Sequence, residues 1–205
     1  MTEKHTQAAS PPGTQMVDEA VLVSRAKNDP QAFEALYSIY VQPVFRYLCS
    51  RLGSVPDAED VTAQTFLAAL EGFQCYRHNG HFAAWLFSIA RRKTVDHYRQ
   101  QRRQLGLHQR ELSQLESEGS SPSQWLAAQE DDPLLQVIRR EQFDALAQHV
   151  QSLPEKERDL LRLRYVAELS FSEIGRLLGR REDAVKKAFY RLLGRLQNQL
   201  EVSHD

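Results

Sequence analysis

Apolar residues recur at three- and four-residue intervals through residues 17–103 and again through 133–201, and β-branched runs of period two are absent. That pattern permits helices with one buried side and excludes a half-buried sheet. Between the two helical stretches lies "QLGLHQRELSQLESEGSSPSQWLAAQEDD", residues 104–132, with Gly119, Ser120, Ser121, Pro122 and a cluster of acids. Its composition is that of a linker, in which Trp125 and Leu126 offer local docking. The expected fold is therefore all-α: two small helical domains joined by an acidic flexible linker. Residues 1–16, polar and Pro-containing, read as a disordered tail.

The net charge of −1 conceals strong segregation. Arg91–Arg110 carries seven Arg or Lys against the single acid Asp96, Glu111–Pro133 carries six acids and no Lys or Arg, and Arg176–Arg195 carries seven basic residues against two acidic. Two cationic blocks flanking an anionic one point to two polyanion-binding surfaces, or else to solvated helix faces and a solvated linker. No apolar run approaches the ~18 residues of a membrane span. The N-terminus lacks the apolar stretch of a signal peptide, which argues for a cytoplasmic chain without membrane insertion. Cys49 and Cys75 are the only cysteines, too few for a disulfide framework. Five residues follow Leu200, so no added sensory domain is expected.

In the first helical stretch, Asp29–Leu52 places Phe33, Leu36, Tyr37, Tyr40, Val44, Tyr47 and Leu48 at helical spacing, with Pro43 expected to kink or divide the helix. "SVPD" (Ser54–Asp57) offers a cap, an early proline and an acid for the next helix, whose apolar side reads as Val61, Phe66, Leu67 and Leu70. "EGFQCYRHNG" interrupts the pattern, with a turn at Asn79–Gly80. In "HFAAWLFSIARRKTVDHYRQQRR", Phe82, Trp85, Leu86 and Ile89 fall on one side at ~100° per residue. Lys93 and Asp96 continue that inward stripe, Asp96 pairing with Lys93 or a neighbouring helix. Arg91, Arg99 and Arg102 fall on the opposite side, flanked by Arg92 and Val95.

The second stretch carries "LPEKERDLLRLRYVAELSFSEIGRLLGRREDAVKKAFYRLLGRLQ". Pro154 suits a helix start, "SFSE" (Ser170–Glu173) is a capping box, and Gly179 supplies a turn between a short helix and one opening near Glu182. Val185, Phe189, Leu192, Leu193 and Leu196 form the packing side of that second helix. Asp183, Lys187, Tyr190 and Arg191 point outward, Lys186 lies at the flank, and Arg180 and Arg181 precede the helix. Two helices joined by a short Gly turn, the second with a basic outer face, suit major-groove recognition.

Taken together, these motifs resemble bacterial sigma factors of the extracytoplasmic-function (ECF) group over roughly residues 30–103 and 135–200. "DAEDVTAQTFLAAL" resembles the helix that docks on the RNA polymerase clamp. "FAAWLFSIARRKTVDHYRQQRR" resembles the helix that melts and holds the minus-ten element, and the C-terminal motif resembles the reader of the minus-thirty-five element. The resemblance implies polymerase contacts at Asp57, Glu59, Asp60 and Gln64. It implies minus-ten contacts at Tyr76, Arg77, His78, Arg91, Arg92, Arg99 and Arg102, with Phe73 near an unstacked base. It implies minus-thirty-five contacts at Arg180, Arg181, Lys186, Lys187, Tyr190 and Arg191. Its domains would be region 2 at 17–103, a linker at 104–132 that threads a basic channel, and region 4 at 133–205. Core RNA polymerase, promoter DNA and an anti-sigma factor are the implied partners, with no cofactor and a monomeric free state. The chain departs from the family at Ala63 and Gln64, where Gln and an acid are usual, at Arg92, where Asn is common, and at Ala184, Lys187 and Ala188 in the recognition helix.

No Gly-rich phosphate loop, nucleophile elbow or paired carboxylates appear, so no catalytic residue is assigned and an enzyme is not expected. Cys75, His78 and His81 have ligand-like spacing, with His97 or Cys49 as a fourth zinc ligand, or else they form a polar loop. A free-standing helix-turn-helix regulator and a helical protein–protein adaptor are the alternative readings. The regulator would bind DNA without core polymerase, and the adaptor would show no salt-dependent DNA binding.

Overall fold

The computed structural model describes residues 19–77, 80–108 and 146–202, with side chains described to Arg103 in the long central helix and to Leu200 in the last. Its helices are α1 (Glu19–Arg25), α2 (Pro30–Leu52), α3 (Val55–Gly72), α4 (Phe82–His108), α5 (residues 146–152), α6 (Glu155–Leu161), α7 (Phe171–Leu178) and α8 (Glu182–Val202). A tight turn at Phe73–Cys75 follows α3, and a wide turn at Arg162–Val166 follows α6. No strand occurs among the described residues, and the fold is all-α with two helical domains. The expected tail and nearly all of the expected linker, Trp125 and Leu126 included, lie outside the described residues; α4 itself runs to His108.

Local chemistry sets most of the boundaries. The Asp29 carboxylate accepts from the Gln31 N–H at 3.0 Å with Pro30 in the first turn, and Gly53, at φ 74°, closes α2 by donating to the Cys49 carbonyl at 2.9 Å. Ser54 then caps α3, its hydroxyl accepting from the Asp57 N–H at 3.4 Å. Pro43 does not divide α2, which continues through it. An internal proline costs about 3 kcal/mol; burial of Leu36 before it and of Val44, Tyr47 and Leu48 after it offsets that cost.

The N-terminal core is aromatic. Phe73 lies 5.5 Å from Phe33, 6.0 Å from Phe82 and 6.1 Å from Trp85, ring to ring, and Tyr47 lies 5.4 Å from Phe87. The inward stripe of α4 differs from expectation. Leu86, Ala90 and Thr94 are fully buried, whereas Asp96 is exposed and pairs with Arg99 at 3.6 Å. Steps of four residues advance by ~40° beyond a full turn, so the buried line winds around α4 as the helix crosses α2 and α3. Leu67 and Leu70 depart from expectation too, being 59% and 53% exposed. Ala58, Val61, Thr65, Phe66 and Ala69 already complete the inner side of α3.

In the C-terminal half both arms of the capping box form: the Ser170 hydroxyl accepts from the Glu173 N–H at 3.2 Å, and the Ser170 N–H donates to the Glu173 carboxylate at 2.7 Å. Gly179 adopts φ 65° at the turn. Gly175 permits the close approach of α7 to that turn: a Cβ there would stand 2.7 Å from the Arg180 carbonyl oxygen. The two halves dock on each other, α4 against α7 and α2 against the wide turn, and one apolar cluster joins Val44, Tyr47 and Leu48 to Leu160, Leu163, Leu169 and Ile174.

Gly175→Ala is expected to destabilise the chain by about 1–3 kcal/mol through overpacking. Gly194→Ala, where an added Cβ meets nothing within 4 Å, is expected to stabilise α8 by up to about 1 kcal/mol. Denaturant unfolding followed by helical circular dichroism measures both; equal effects would contradict the close approach at Gly175.

Candidate nucleic-acid and polymerase interface

α8 separates its two sides cleanly. Val185, Phe189, Leu192 and Leu196 are buried, while Asp183, Ala184, Lys187, Tyr190 and Arg191 are exposed. Tyr190, 62% exposed, is steadied by the rings of Phe171 at 6.0 Å and Phe189 at 5.9 Å. Not every cation is available. Lys186 bonds Glu182 at 2.7 Å, which holds its ammonium pKa above the ordinary value, and Arg195 bonds Glu157 at 2.6 Å. Arg180, Arg181, Lys187 and Arg191 form no ion pair among the described residues. A row of cations around a tyrosine hydroxyl gives donors both for phosphates and for base edges.

On α4, Arg92 and Arg102 are exposed, as is Arg99 with its loose pairing to Asp96. Arg91 does not share that surface. It follows the fully buried Phe87 by one turn, faces the C-terminal half, and bonds the Asp159 carboxylate at 3.0 Å. Before α4, Tyr76 is buried rather than presented, its ring 4.6 Å from that of Trp85, and Phe73 is buried with it. Arg77 is exposed, and His78 lies outside the described residues. A shallow recess lined by Tyr76, Arg77, His81, Trp85 and Ser88 is closed on one side by Arg176 and Leu177 of α7.

The outer side of α3 presents Glu59, Asp60, Ala63, Gln64, Leu67, Leu70 and Glu71 together. Asp57, at its start, is half-buried 3.6 Å from His97. Leu67 and Leu70 were missed as surface residues. The signal was present, since the small and apolar residues one turn apart on the other side already filled the core. Two exposed leucines thus sit inside an acidic rim, a chemistry that complements an apolar, basic surface.

Asp159 was missed altogether. It is 5% exposed on α6, and every partner comes from the other half: Tyr47 donates to it at 2.8 Å, Arg51 at 2.5 Å and Arg91 at 3.0 Å. Burial first, then the adjoining Asp159 charge, raises the Tyr47 phenol pKa and keeps it a donor. Spacing carried a hint, for Asp159 precedes buried Leu163 by four residues.

The zinc reading gains no support. Among the described residues no three His, Cys, Asp or Glu side chains converge as a metal site. Cys49 is buried, which pushes its thiol up to about 11, away from a ready thiolate, and His97 is engaged by Asp57.

Residues 36–104 match sigma-70 region 2 and residues 143–196 match sigma-70 region 4. The ECF RNA polymerase sigma factor BldN of Streptomyces coelicolor is 32% identical over 181 residues, which is 87% of this chain and 64% of that relative's length. The ECF RNA polymerase sigma factor ShbA of Streptomyces griseus is 32% identical over 187 residues, covering 86% of this chain and 92% of ShbA. In fold, the chain is similar to CnrH, solved in complex with the cytosolic domain of CnrY, with a TM-score of 0.60 at 20% identity over 90% of this chain and 97% of that one. Both regions are matched in order, and a relative is matched nearly end to end, so this chain belongs to the ECF RNA polymerase sigma factors.

Proposed function

We propose that the chain is a promoter-specificity subunit, which docks on core RNA polymerase through α3, reads the minus-thirty-five element with α8 and holds the melted minus-ten strand with α4. Residues 17–103 then serve as region 2 and 133–205 as region 4, with 104–132 threading the enzyme between them. The observation that carries the reading is the separation of three exposed surfaces by chemistry: acidic and apolar on α3, arginine-rich on α4, and basic around Tyr190 on α8.

On α3, Glu59, Asp60 and Gln64 give the polar rim and Leu67 and Leu70 the apolar centre; Asp57 supports the start of the helix through His97. On α4, Arg92, Arg99 and Arg102 track phosphates while Trp85 anchors the helix in its domain. Arg77 and the recess beside Trp85 lie where an unstacked base would enter, and stacking on an aromatic ring suits any base. On α8, Lys187, Tyr190 and Arg191 face the duplex, with Arg180 and Arg181 at the turn contacting phosphate. Lys186 contributes less, being neutralised by Glu182. The polymerase supplies the catalysis, so the chain itself needs no cofactor.

An anti-sigma factor is the proposed regulator, supported by the solved complex of a protein of like fold, the Bartonella quintana sigma factor RpoE, with the anti-sigma factor NepR. The proposed site of action is the cytoplasm, and the free chain is proposed to be a monomer. No helix among the described residues is long and apolar enough to cross a membrane.

Replacing Leu67 and Leu70 together by Ser is expected to lower stability by no more than about 1 kcal/mol, the cost of the poorer helix former at two exposed positions, and to weaken core polymerase binding by about 2 kcal/mol or more. A titration of labelled chain with core enzyme measures it; unchanged affinity would remove α3 from the interface. Lys187→Ala and Arg191→Ala are each expected to keep stability within about 0.5 kcal/mol and to weaken holoenzyme binding to promoter duplex by about 1–3 kcal/mol. Duplex binding by the chain without core at comparable affinity would favour a free-standing regulator.

A further inference from the structure

We propose that Tyr98 is a positioning residue, whose phenol pins the basic end of α4 to the C-terminus of α2 and so fixes where Arg99 and Arg102 meet the melted strand. The inference rests on the reading of α4 as the strand-holding helix and adds to it the group that aims that helix. Burial does not hold this end. Thr94 is fully buried, but from Val95 to Arg103 every side chain is exposed except that of His97, which is half-buried. A helix end with no packed side frays, because helices of this size draw most of their stability from tertiary contacts.

Among the described residues, two side-chain links join residues 95–103 to other elements. The Tyr98 hydroxyl donates to the Arg51 carbonyl at 2.7 Å, and His97 Nε2 stands 3.6 Å from the Asp57 carboxylate. The two differ in kind. The histidine contact is too long for a hydrogen bond and attracts only when the ring is protonated. The tyrosine contact is a neutral hydrogen bond of ordinary length, and partial burial of the ring raises the phenol pKa, which keeps it a donor. Its acceptor lies in the last turn of α2, where carbonyls have no amide within the helix to bond. Gly53 has already turned away and given its N–H to Cys49. The phenol therefore supplies the donor that the Arg51 carbonyl would otherwise take from water. Arg51 and Asp57 flank one short junction, where Gly53 ends α2 and Ser54 caps α3. The basic end of α4 is thus referenced to the start of α3, the helix proposed to dock on polymerase. Every group in the two links belongs to the N-terminal half.

Helical period turns this link into an aim. At ~100° per residue, Arg102 lies about 40° around α4 from Tyr98, with Arg99 and Arg92 about 100–120° around on the same side. Holding Tyr98 against α2 therefore turns these arginines to one arc of the surface. Without the hydroxyl the last turns swing, and a strand must order them as it binds. That ordering reduces affinity for the open strand and leaves duplex reading by α8 unaffected.

The test is Tyr98→Phe in the full chain, which removes the hydroxyl and keeps the ring. Amide exchange of the free protein is followed by mass spectrometry over residues 95–103, with 83–90 as reference. Holoenzyme affinity is measured for two forms of a promoter recovered by run-off transcription. One is an upstream duplex carrying only the minus-thirty-five element, and the other has its minus-ten segment mismatched into a bubble. Loss of one hydrogen bond is expected to speed exchange over 95–103 about fivefold, with 83–90 unchanged, and to weaken bubble binding about fivefold. Affinities for core enzyme and for the upstream duplex are expected to stay at wild type. No change in exchange or bubble affinity, both in Tyr98→Phe and in Tyr98→Phe with His97→Ala, which removes the second link, would overturn the proposal. Faster exchange spread equally over 83–90 would mark a general loss of stability and overturn it too. Weaker bubble binding with unchanged exchange would make Tyr98 a direct strand contact and overturn the positioning role. Faster exchange with full bubble affinity would also overturn that role, and Arg99→Ala with Arg102→Ala then tells why. If that variant binds the bubble normally, the strand-holding reading of α4 has failed; if it binds weakly, that reading stands and Tyr98 alone was misassigned.

Discussion

The fold depends on one requirement placed on α4: it must be buried firmly enough to hold its position and still carry a row of arginines to the surface. Phe82, Leu86, Phe87 and Ala90 are essentially inaccessible, locked by Phe73, Tyr47 and the helices α2 and α3. Beyond Ala90 the buried line narrows to Thr94, and His97 is tied to Asp57. The apolar turns supply the anchoring free energy, and the basic turns are left at the surface. This division is why one continuous segment begins as core and ends as cationic surface.

The same economy shapes the C-terminal half. The capping box at Ser170 and the glycines at 175 and 179 fix the angle at which α8 leaves the turn, and Val185, Phe189 and Leu192 fix its rotation. Rotation decides which cations are offered. With those three inside, Lys187, Tyr190 and Arg191 must point out, while Lys186 and Arg195 meet acids. The helix thus presents a chosen subset of its positive charge rather than all of it, and the subset surrounds a tyrosine with a free polar end.

Much of this was legible in the sequence because it is local. Caps, turns and helical period are written within a few residues, so the all-α fold, the capping box, the start of α3 at Ser54 and the outward side of α8 could be read directly. The misreadings all have a long-range cause. Leu67 and Leu70 look like core residues until Ala58, Val61, Thr65, Phe66 and Ala69 are seen to fill the space under α3. Asp96 continues a straight inward stripe in the sequence, whereas the buried line through Leu86, Ala90 and Thr94 winds around α4 and leaves it outside. Arg91 and Asp159 lie in different halves of the chain, and only the docking of those halves brings them together. Tyr76 shows the same limit, since its ring is drawn into an aromatic cluster assembled from α2, the turn after α3, and α4.

The central claim is that these surfaces act together as an initiation factor. Run-off transcription with purified core RNA polymerase, with and without this chain, on genomic fragments that include its own upstream region tests it most directly. Discrete transcripts that require the chain, and that disappear when Leu67 and Leu70 are both replaced by Ser, are the predicted result. No chain-dependent transcript from any fragment, together with no association with core enzyme, would contradict it.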